Sequence, residues 1–323
     1  MKSKIVMIFT GGTIAMKVDP ELDAAVPGVG SNELMEMVKE VDKIADFETI
    51  DFANIPSPHM TPDLMLELSK VVKENIARDD VTGIVITHGT DTLEETAYFL
   101  ELVTNSEKPI VLVGSMRNNS DLGYDGAANI AAAIYTACSP EAKSKGVLVV
   151  MNDQIYSAVD VTKTNTVAVD TFKSPELGPI GIISNKEVVF YRNIKERQLL
   201  DTEKIEKKVG LVKLAAGMEA DILEFFIESG YKGIVIEALG CGNVPPAMVG
   251  GIRRAVEKDI PVVLVSRCIK GRVEPVYGYE GGGSQLKDMG VIFGGNLSGQ
   301  KARIKLILAL GISDDIDIIR KFF

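Results

Sequence analysis

Residues 4–15 read KIVMIFTGGTIA, and this stretch decides the fold. Val6–Phe9 is an unbroken apolar run of strand length, as a parallel strand shows when both faces of its sheet are covered. The paired glycines that follow, Gly11 and Gly12, let the backbone turn sharply. The same kind of run recurs at Ile84–Thr87, Ile110–Val113 and Val147–Met151. Helical patterns lie between them. Thr61-Pro62-Asp63 opens one with a hydroxyl N-cap, proline at the first helical position and an acid in the first turn. Leu64, Leu68, Val71, Val72 and Ile76 then recur at helical spacing. A second helix, from Leu93 to about Val103, turns Ala97, Leu100 and Val103 inward. Strands separated by helices of this length imply right-handed crossovers and a parallel sheet.

The alternation breaks at Tyr191. From there to Lys208 the sequence YRNIKERQLLDTEKIEKK is about half charged, with no sustained apolar face. It then resumes with Val209–Leu214, a helix around Glu219–Ser229, Gly233–Ile236, a helix after Pro246, Pro261–Val265 and a final helix from about Gln300 to Leu310. The expectation is two α/β domains: a larger, mostly parallel one over 1–190 and a smaller parallel-sheet one over 209–323. The charged segment 191–208 would link them.

Composition bounds the function. A chain of 323 residues with 46% apolar and 25% charged residues is neither disordered, collagenous nor coiled-coil. It is long enough to bury a large core without a disulfide or metal staple. Lys+Arg 35 against Asp+Glu 45 gives 35 − 45 = −10, and no basic block interrupts the acidic balance. Binding nucleic acid rests on neutralising phosphates, so such a partner is not expected. A small zwitterion in a local pocket remains compatible. Cys138, Cys241 and Cys268 form no CxxC pair, which suits a reducing compartment and argues against a zinc site. The N-terminus shows no apolar segment followed by a cleavage site, and no window approaches the roughly 18 apolar residues of a membrane span. The expectation is a cytoplasmic chain with no metal and no membrane partner.

Several chemistries are missing. There is no HExxH and no Walker A sequence, and the only histidines are His59 and His88. Gly240-Cys241-Gly242 begins like a dinucleotide fingerprint, but its third glycine would fall at Pro245. What is present is a set of hydroxyl-rich loops after strands. Thr10-Gly11-Gly12-Thr13 follows the first, with the Thr13 hydroxyl and nearby N–H groups available to a crevice. By itself this motif fits a plain strand-to-helix turn equally well. His88-Gly89-Thr90-Asp91-Thr92 follows Ile84–Thr87, where Asp91 or Thr92 could simply cap the next helix. Lys163, in Asp160-Val161-Thr162-Lys163-Thr164-Asn165, could be a solvated surface charge. Position changes these readings, because ligands bind outside the carboxyl ends of strands in an open α/β sheet. Beside Thr90 and Asp91, Lys163 would be a paired, partly desolvated cation able to act as a base.

TGGTIA, HGTDTLEETAYFL, VLVGSMR, VMND and DVTKTN, in this order, resemble the L-asparaginase/glutaminase family of amidohydrolases. The carboxy-terminal LSGQKARIKLILAL is similar to it too, so the resemblance spans essentially the whole chain. It implies two α/β domains, hydrolysis of a side-chain carboxamide to carboxylate and ammonia, no cofactor, and a homodimer or homotetramer. By matching position, it implies Thr13 as nucleophile and Thr90, Asp91 and Lys163 as the second catalytic constellation. Such a hydroxyl needs an adjacent base or relay, and backbone N–H groups of the turns suit a tetrahedral oxyanion. Asp91 would hold the substrate's α-ammonium and Ser57 its α-carboxylate. Ser115 would offer its carbonyl to the leaving amide, and Asn243 and Glu280 would reach a neighbouring subunit's pocket.

Two departures stand out. Members carry a tyrosine on the loop after TGGT, whereas residues 16–31, MKVDPELDAAVPGVGS, contain none. The glutamine that many members place after the Ser57-like serine is Pro58, which has no donors. L-asparaginase activity is therefore expected first, and hydrolysis of another small amide, such as glutamine or an N-substituted asparagine, second. An ammonia-delivering amidotransferase subunit would be expected to carry an extra N-terminal domain ahead of the first strand. A non-catalytic binding protein would not need the full set of hydroxyl and lysine positions.

Overall fold

The computed structural model describes residues 2–194 and 197–323. They divide into two compact units that meet in sequence between Leu199 and Leu200. The first unit runs in the order β1 (Ser3–Gly11), β2 (Met16–Asp19), β3 (Ala24–Pro27), α1 (Ser31–Glu36), β4 (Ala45–Ile55), α2 (Pro62–Ile76), β5 (Gly83–Thr87) and α3 (Leu93–Val103). It continues with β6 (Ile110–Val113), α4 (Gly126–Cys138), β7 (Val147–Met151), β8 (Gln154–Ser157), β9 (Thr162–Lys163), β10 (Phe172–Lys173), β11 (Gly181–Ser184) and β12 (Glu187–Phe190). Its main sheet has the order β12-β11-β8-β7-β6-β5-β1-β4, parallel from β7 to β4 and antiparallel at the β8, β11, β12 edge.

The four apolar runs of the sequence are the central strands β1, β5, β6 and β7, each buried along its length apart from the start of β1. Alternate side chains feed two cores. Ile5, Met7, Val85, Val111 and Val113 pack on one face against Ile130, Ala133 and Ile134 of α4. Val6, Ile8, Ile84, Ile86 and Leu112 pack on the other against Leu68 and Val72 of α2 and Ala97 and Leu100 of α3. Thr61 caps α2 as its sequence predicts, its hydroxyl accepting the Leu64 N–H at 3.3 Å with Pro62 opening the helix. The chain steps from β1 to β4 on one side, then returns to β5 on the other. The switch in strand order therefore falls at β1 and β5, where this architecture opens its binding crevice.

The second unit carries β13 (Val209–Lys213), α5 (Asp221–Glu228), β14 (Gly233–Ala238), α6 (Val249–Glu257), β15 (Val262–Ser266), α7 (Gly283–Asp288), β16 (Ile292–Phe293), α8 (Gly299–Ile312) and α9 (Ile316–Arg320). Its four strands pair in parallel in chain order. The mixed α/β class, with a larger mostly parallel sheet and a smaller parallel one, is as the sequence predicts. Among the elements beyond that reading are the β2–β3 hairpin, the edge strand β4, the core helix α4, the antiparallel edge strands β8, β11 and β12, and the short terminal helix α9. Of the charged segment, residues 195 and 196 lie outside the described residues.

Candidate active site

Both hydroxyl-rich loops sit at the switch point, one after β1 and one after β5. Gly12 has φ +86° and ψ −178°, a region essentially closed to residues with a Cβ. A Cβ on Gly12 would stand 2.2 Å from the Gly89 Cα, and one on Gly89 would stand 2.7 Å from the Ser57 Cβ. The two turns thus touch backbone to backbone, with Ser57 against them, and Thr13 and Thr90 are the residues that follow the contact. Thr13 opens a single helical turn, Thr13–Ala15, and is half-buried. The hydroxyl of Tyr124 donates to the Ile14 carbonyl of that turn at 2.8 Å.

The plain capping roles for Asp91 and Thr92 do not hold. Thr92 stands at the N-cap of α3 without a side-chain cap bond, and its hydroxyl instead donates to the Ser57 carbonyl at 2.8 Å. Asp91 accepts from Lys163 Nζ at 2.7 Å, and the same Nζ lies 2.9 Å from the Thr90 Oγ1. Lys163 is only 16% exposed at its side chain, so it is not a solvated surface charge. Asp91 is 60% exposed, which leaves its second carboxylate oxygen toward solvent or a ligand. The backbone N–H of Asp91 donates to the Ser57 Oγ at 3.1 Å. Five expected site residues, Ser57, Thr13, Thr90, Asp91 and Lys163, are therefore brought together on neighbouring loops.

Lys163 is held from behind by a residue outside the predicted set. Glu94, 4% exposed in the first turn of α3, accepts from the Thr162 hydroxyl at 3.0 Å and the Lys163 N–H at 3.3 Å. This fixes strand β9 to the helix that carries Thr90 just ahead of its start. A cavity of about 340 Å³ opens over Asp91, Glu94, Lys163 and Thr164. Ser115 is buried, its hydroxyl donating to the Arg117 carbonyl at 2.7 Å. A Cβ on the preceding Gly114 would lie 3.1 Å from the Thr90 methyl, so this loop borders Thr90 directly. Asn243 and Glu280 belong to the second unit. The Asn243 side-chain oxygen is buried without a partner among the described residues, and Glu280 is exposed.

His88 is the other residue that motif reading passed over. It is fully buried, with Nδ1 2.7 Å from the Gly89 carbonyl and Nε2 2.9 Å from the Thr96 Oγ1. One neutral tautomer satisfies both: Nδ1–H donates to Gly89 and Nε2 accepts from Thr96. Burial pulls its pKa from 6.5 down to about 4. The folded value lies below the unfolded one, so this group's stabilisation is complete above about pH 6.5 and is lost as pH falls toward about 4. Denaturant unfolding should show that loss as roughly 3 kcal/mol between those limits. His88→Gln should flatten this acid slope; an identical slope in both proteins would contradict the assignment.

Residues 4–196 match the family model "Asparaginase, N-terminal", and residues 208–323 match "Glutaminase/Asparaginase C-terminal domain". The chain belongs to the asparaginase family. It is 39% identical over 328 residues to L-asparaginase 2 of Bacillus subtilis (strain 168), an alignment spanning 98% of this chain and 85% of that one. The crystal structure of a probable cytoplasmic L-asparaginase from Campylobacter jejuni matches with a TM-score of 0.90 at 34% identity, covering 99% of each chain. A glutamyl-tRNA(Gln) amidotransferase component of Methanococcus vannielii is also similar, 33% identical across 96% of this chain and 75% of that one. The asparaginase family places the chain among the amidohydrolases. Among the described residues, no group of three or more His, Cys, Asp or Glu could hold a metal, and no helix is long and apolar enough to cross a membrane.

Proposed function

We propose that this chain is an L-asparaginase that hydrolyses the side-chain amide of L-asparagine through Thr13. The observation that carries the reading is Lys163 Nζ, 2.9 Å from Thr90 Oγ1 and 2.7 Å from Asp91, beside the glycine turn that presents Thr13. Thr13 Oγ attacks the carboxamide carbon, and its proton passes through the Thr90–Lys163 pair toward the leaving nitrogen. The C–N bond breaks, ammonia departs, and water then cleaves the threonine ester to release aspartate. The Gly12 N–H is spent on the Ile55 carbonyl at 3.0 Å, so the developing oxyanion would be met by other N–H groups of the Thr13 and Thr90 turns. Asp91 takes the α-ammonium and Ser57 the α-carboxylate. The leaving amide meets the Ser115 loop that borders Thr90. Asn243 and Glu280 complete a neighbour's pocket in a homodimer or homotetramer. Cytoplasmic residence accords with the three free cysteines.

The departures set the substrate profile. With no tyrosine in 16–31 and Pro58 in place of a glutamine, one hydrogen bond to the charged substrate is lost, worth roughly 1.5–3 kcal/mol or about 10- to 150-fold. Tyr124 does not make good the loss, since its hydroxyl is spent on the Ile14 carbonyl. Ammonia release from L-Asn, D-Asn, L-Gln and N-substituted asparagines tests this reading. The expected order is L-asparagine first, with a high KM, and L-glutamine well below it, because an extra methylene displaces the amide from a fixed nucleophile. The second reading, hydrolysis of a bulkier amide, is favoured by the same tyrosine-free hairpin. It wins if a substituted amide exceeds L-asparagine in kcat/KM by more than about tenfold, a difference of ~1.4 kcal/mol.

A further inference from the structure

Residues 114–125, GSMRNNSDLGYD, connect β6 to α4 and run between the two threonine loops. At one end Gly114 borders the Thr90 methyl. At the other the Tyr124 hydroxyl donates to the Ile14 carbonyl at 2.8 Å, in the single turn that Thr13 opens. Between these ends the segment is braced from within. The Asp125 carboxylate accepts the Met116 and Arg117 N–H groups and the Asn129 side-chain amide, each at 3.0 Å. Asn129 also donates to the Gly114 carbonyl at 3.0 Å, and the Arg117 guanidinium to the Gly123 carbonyl at 2.8 Å.

The Thr13 turn has fewer restraints of its own. It is three residues long, and two glycines with positive φ, Gly11 and Gly12, precede it. The carbonyls around Ile14 are met by backbone. Gly12 accepts the Ala15 N–H at 2.9 Å, Thr13 accepts the Met16 N–H, and Ala15 accepts Gly28 and Val29, both at 3.0 Å. Ile14 instead has the Tyr124 hydroxyl, so a side chain ties the residue after Thr13 to the braced segment. A second observation shows that the chain makes room for this contact. A Cβ on Gly126, the first residue of α4, would stand 2.1 Å from the Tyr124 hydroxyl and 2.2 Å from its Cζ. Burial, and then the neighbouring Asp125 carboxylate, push the phenol's pKa upward, so it stays a donor through the neutral range.

We propose that Tyr124 is a positioning residue for the nucleophile: its hydroxyl, seated over Gly126, sets the Thr13 turn through the Ile14 carbonyl and holds it to the segment that borders Thr90. The proposal rests on Thr13 being the nucleophile. The phenol acts through that turn and not on the substrate. Without its bond the Thr13 hydroxyl shifts from the carboxamide carbon, and a displacement of about 1 Å costs on the order of 10²-fold in rate.

The test is rapid acid quench of the full chain with L-asparagine, timing the appearance of an aspartyl ester on the Thr13 peptide well below the unfolding midpoint. Tyr124→Phe, which removes only the hydroxyl, should slow ester formation about tenfold or more. Placing 4-aminophenylalanine at position 124 returns an N–H donor to the Ile14 carbonyl and should restore most of the rate. Gly126→Ala keeps the tyrosine but pushes it off its seat, and should slow the ester by a similar factor; it carries the test if Tyr124→Phe fails to fold. Both changes act on one bond, so the double variant should be no slower than the slower single one. Wild-type ester formation on Thr13 in Tyr124→Phe would overturn the positioning role and leave Thr13 the nucleophile. Losses that multiply in the double variant, or no recovery with the amino analogue, would overturn it as well. An ester on a residue other than Thr13 in the unmodified chain would overturn the proposed mechanism, and this inference with it.

Discussion

Thr13→Ala and Thr90→Val are each expected to lower kcat for ammonia release by at least about 10³-fold while leaving the unfolding transition within about 1 kcal/mol of wild type. The proposal gives the two hydroxyls separate duties. Thr13 follows a glycine whose φ of +86° brings the turn against Gly89, so as the proposed nucleophile it would be aimed by backbone geometry. Thr90 lies 2.9 Å from Lys163 Nζ and is the hydroxyl in proton-transfer reach of a cation. Because the pair acts as a unit, the double variant should lose little more than the worse single one. Wild-type kcat in either variant would remove that residue from the reaction.

Lys163→Met has the next largest effect. The methionine keeps most of the volume of a side chain that is 16% exposed, so the fold should survive. The loss of proton transfer should lower kcat by about 10²–10⁴-fold, the usual contribution of a positioned acid or base. Asp91, no longer paired, should also hold the substrate's α-ammonium in altered geometry, so KM should shift along with kcat. Glu94→Gln separates position from chemistry. It keeps an oxygen for the Thr162 hydroxyl and the Lys163 N–H, so it should cost far less than Lys163→Met. A larger loss in Glu94→Gln would move the proton chemistry from the lysine to the buried carboxylate.

The central strands were legible because parallel strands covered on both faces leave unbroken apolar runs, as in Ile84–Thr87 and Val147–Met151. Helix α2 was legible from its cap, since Thr61 and Pro62 leave few alternatives to a helix start. Strand β4 was not, because ADFETIDFANI spends Asp46, Glu48 and Asp51 on an exposed edge, which reads as polar chain. The β2–β3 hairpin was hidden for a related reason. It carries no apolar periodicity and is tied down from outside: the Val18 N–H donates to the Ser120 hydroxyl at 3.0 Å and the Asn119 N–H donates to the Met16 carbonyl at 3.0 Å. For the site, the loop motifs and their resemblance to the asparaginase family pointed to the threonines, but only tertiary geometry could show that neither Asp91 nor Thr92 spends its side chain on capping α3. His88 and Glu94 escaped notice because their work is done through the backbone of Gly89 and the N–H of Lys163. Neither contact leaves a spacing in the sequence.

The most direct test of the account is the site of the covalent intermediate. Rapid acid quench of enzyme turning over L-asparagine, followed by peptide mass spectrometry, should find an aspartyl ester on the peptide that contains Thr13 and none on the peptide that contains Thr90. Thr13→Ala should abolish the adduct. An aspartyl ester on Thr90 with Thr13 unmodified, or an adduct that persists in Thr13→Ala, would contradict it.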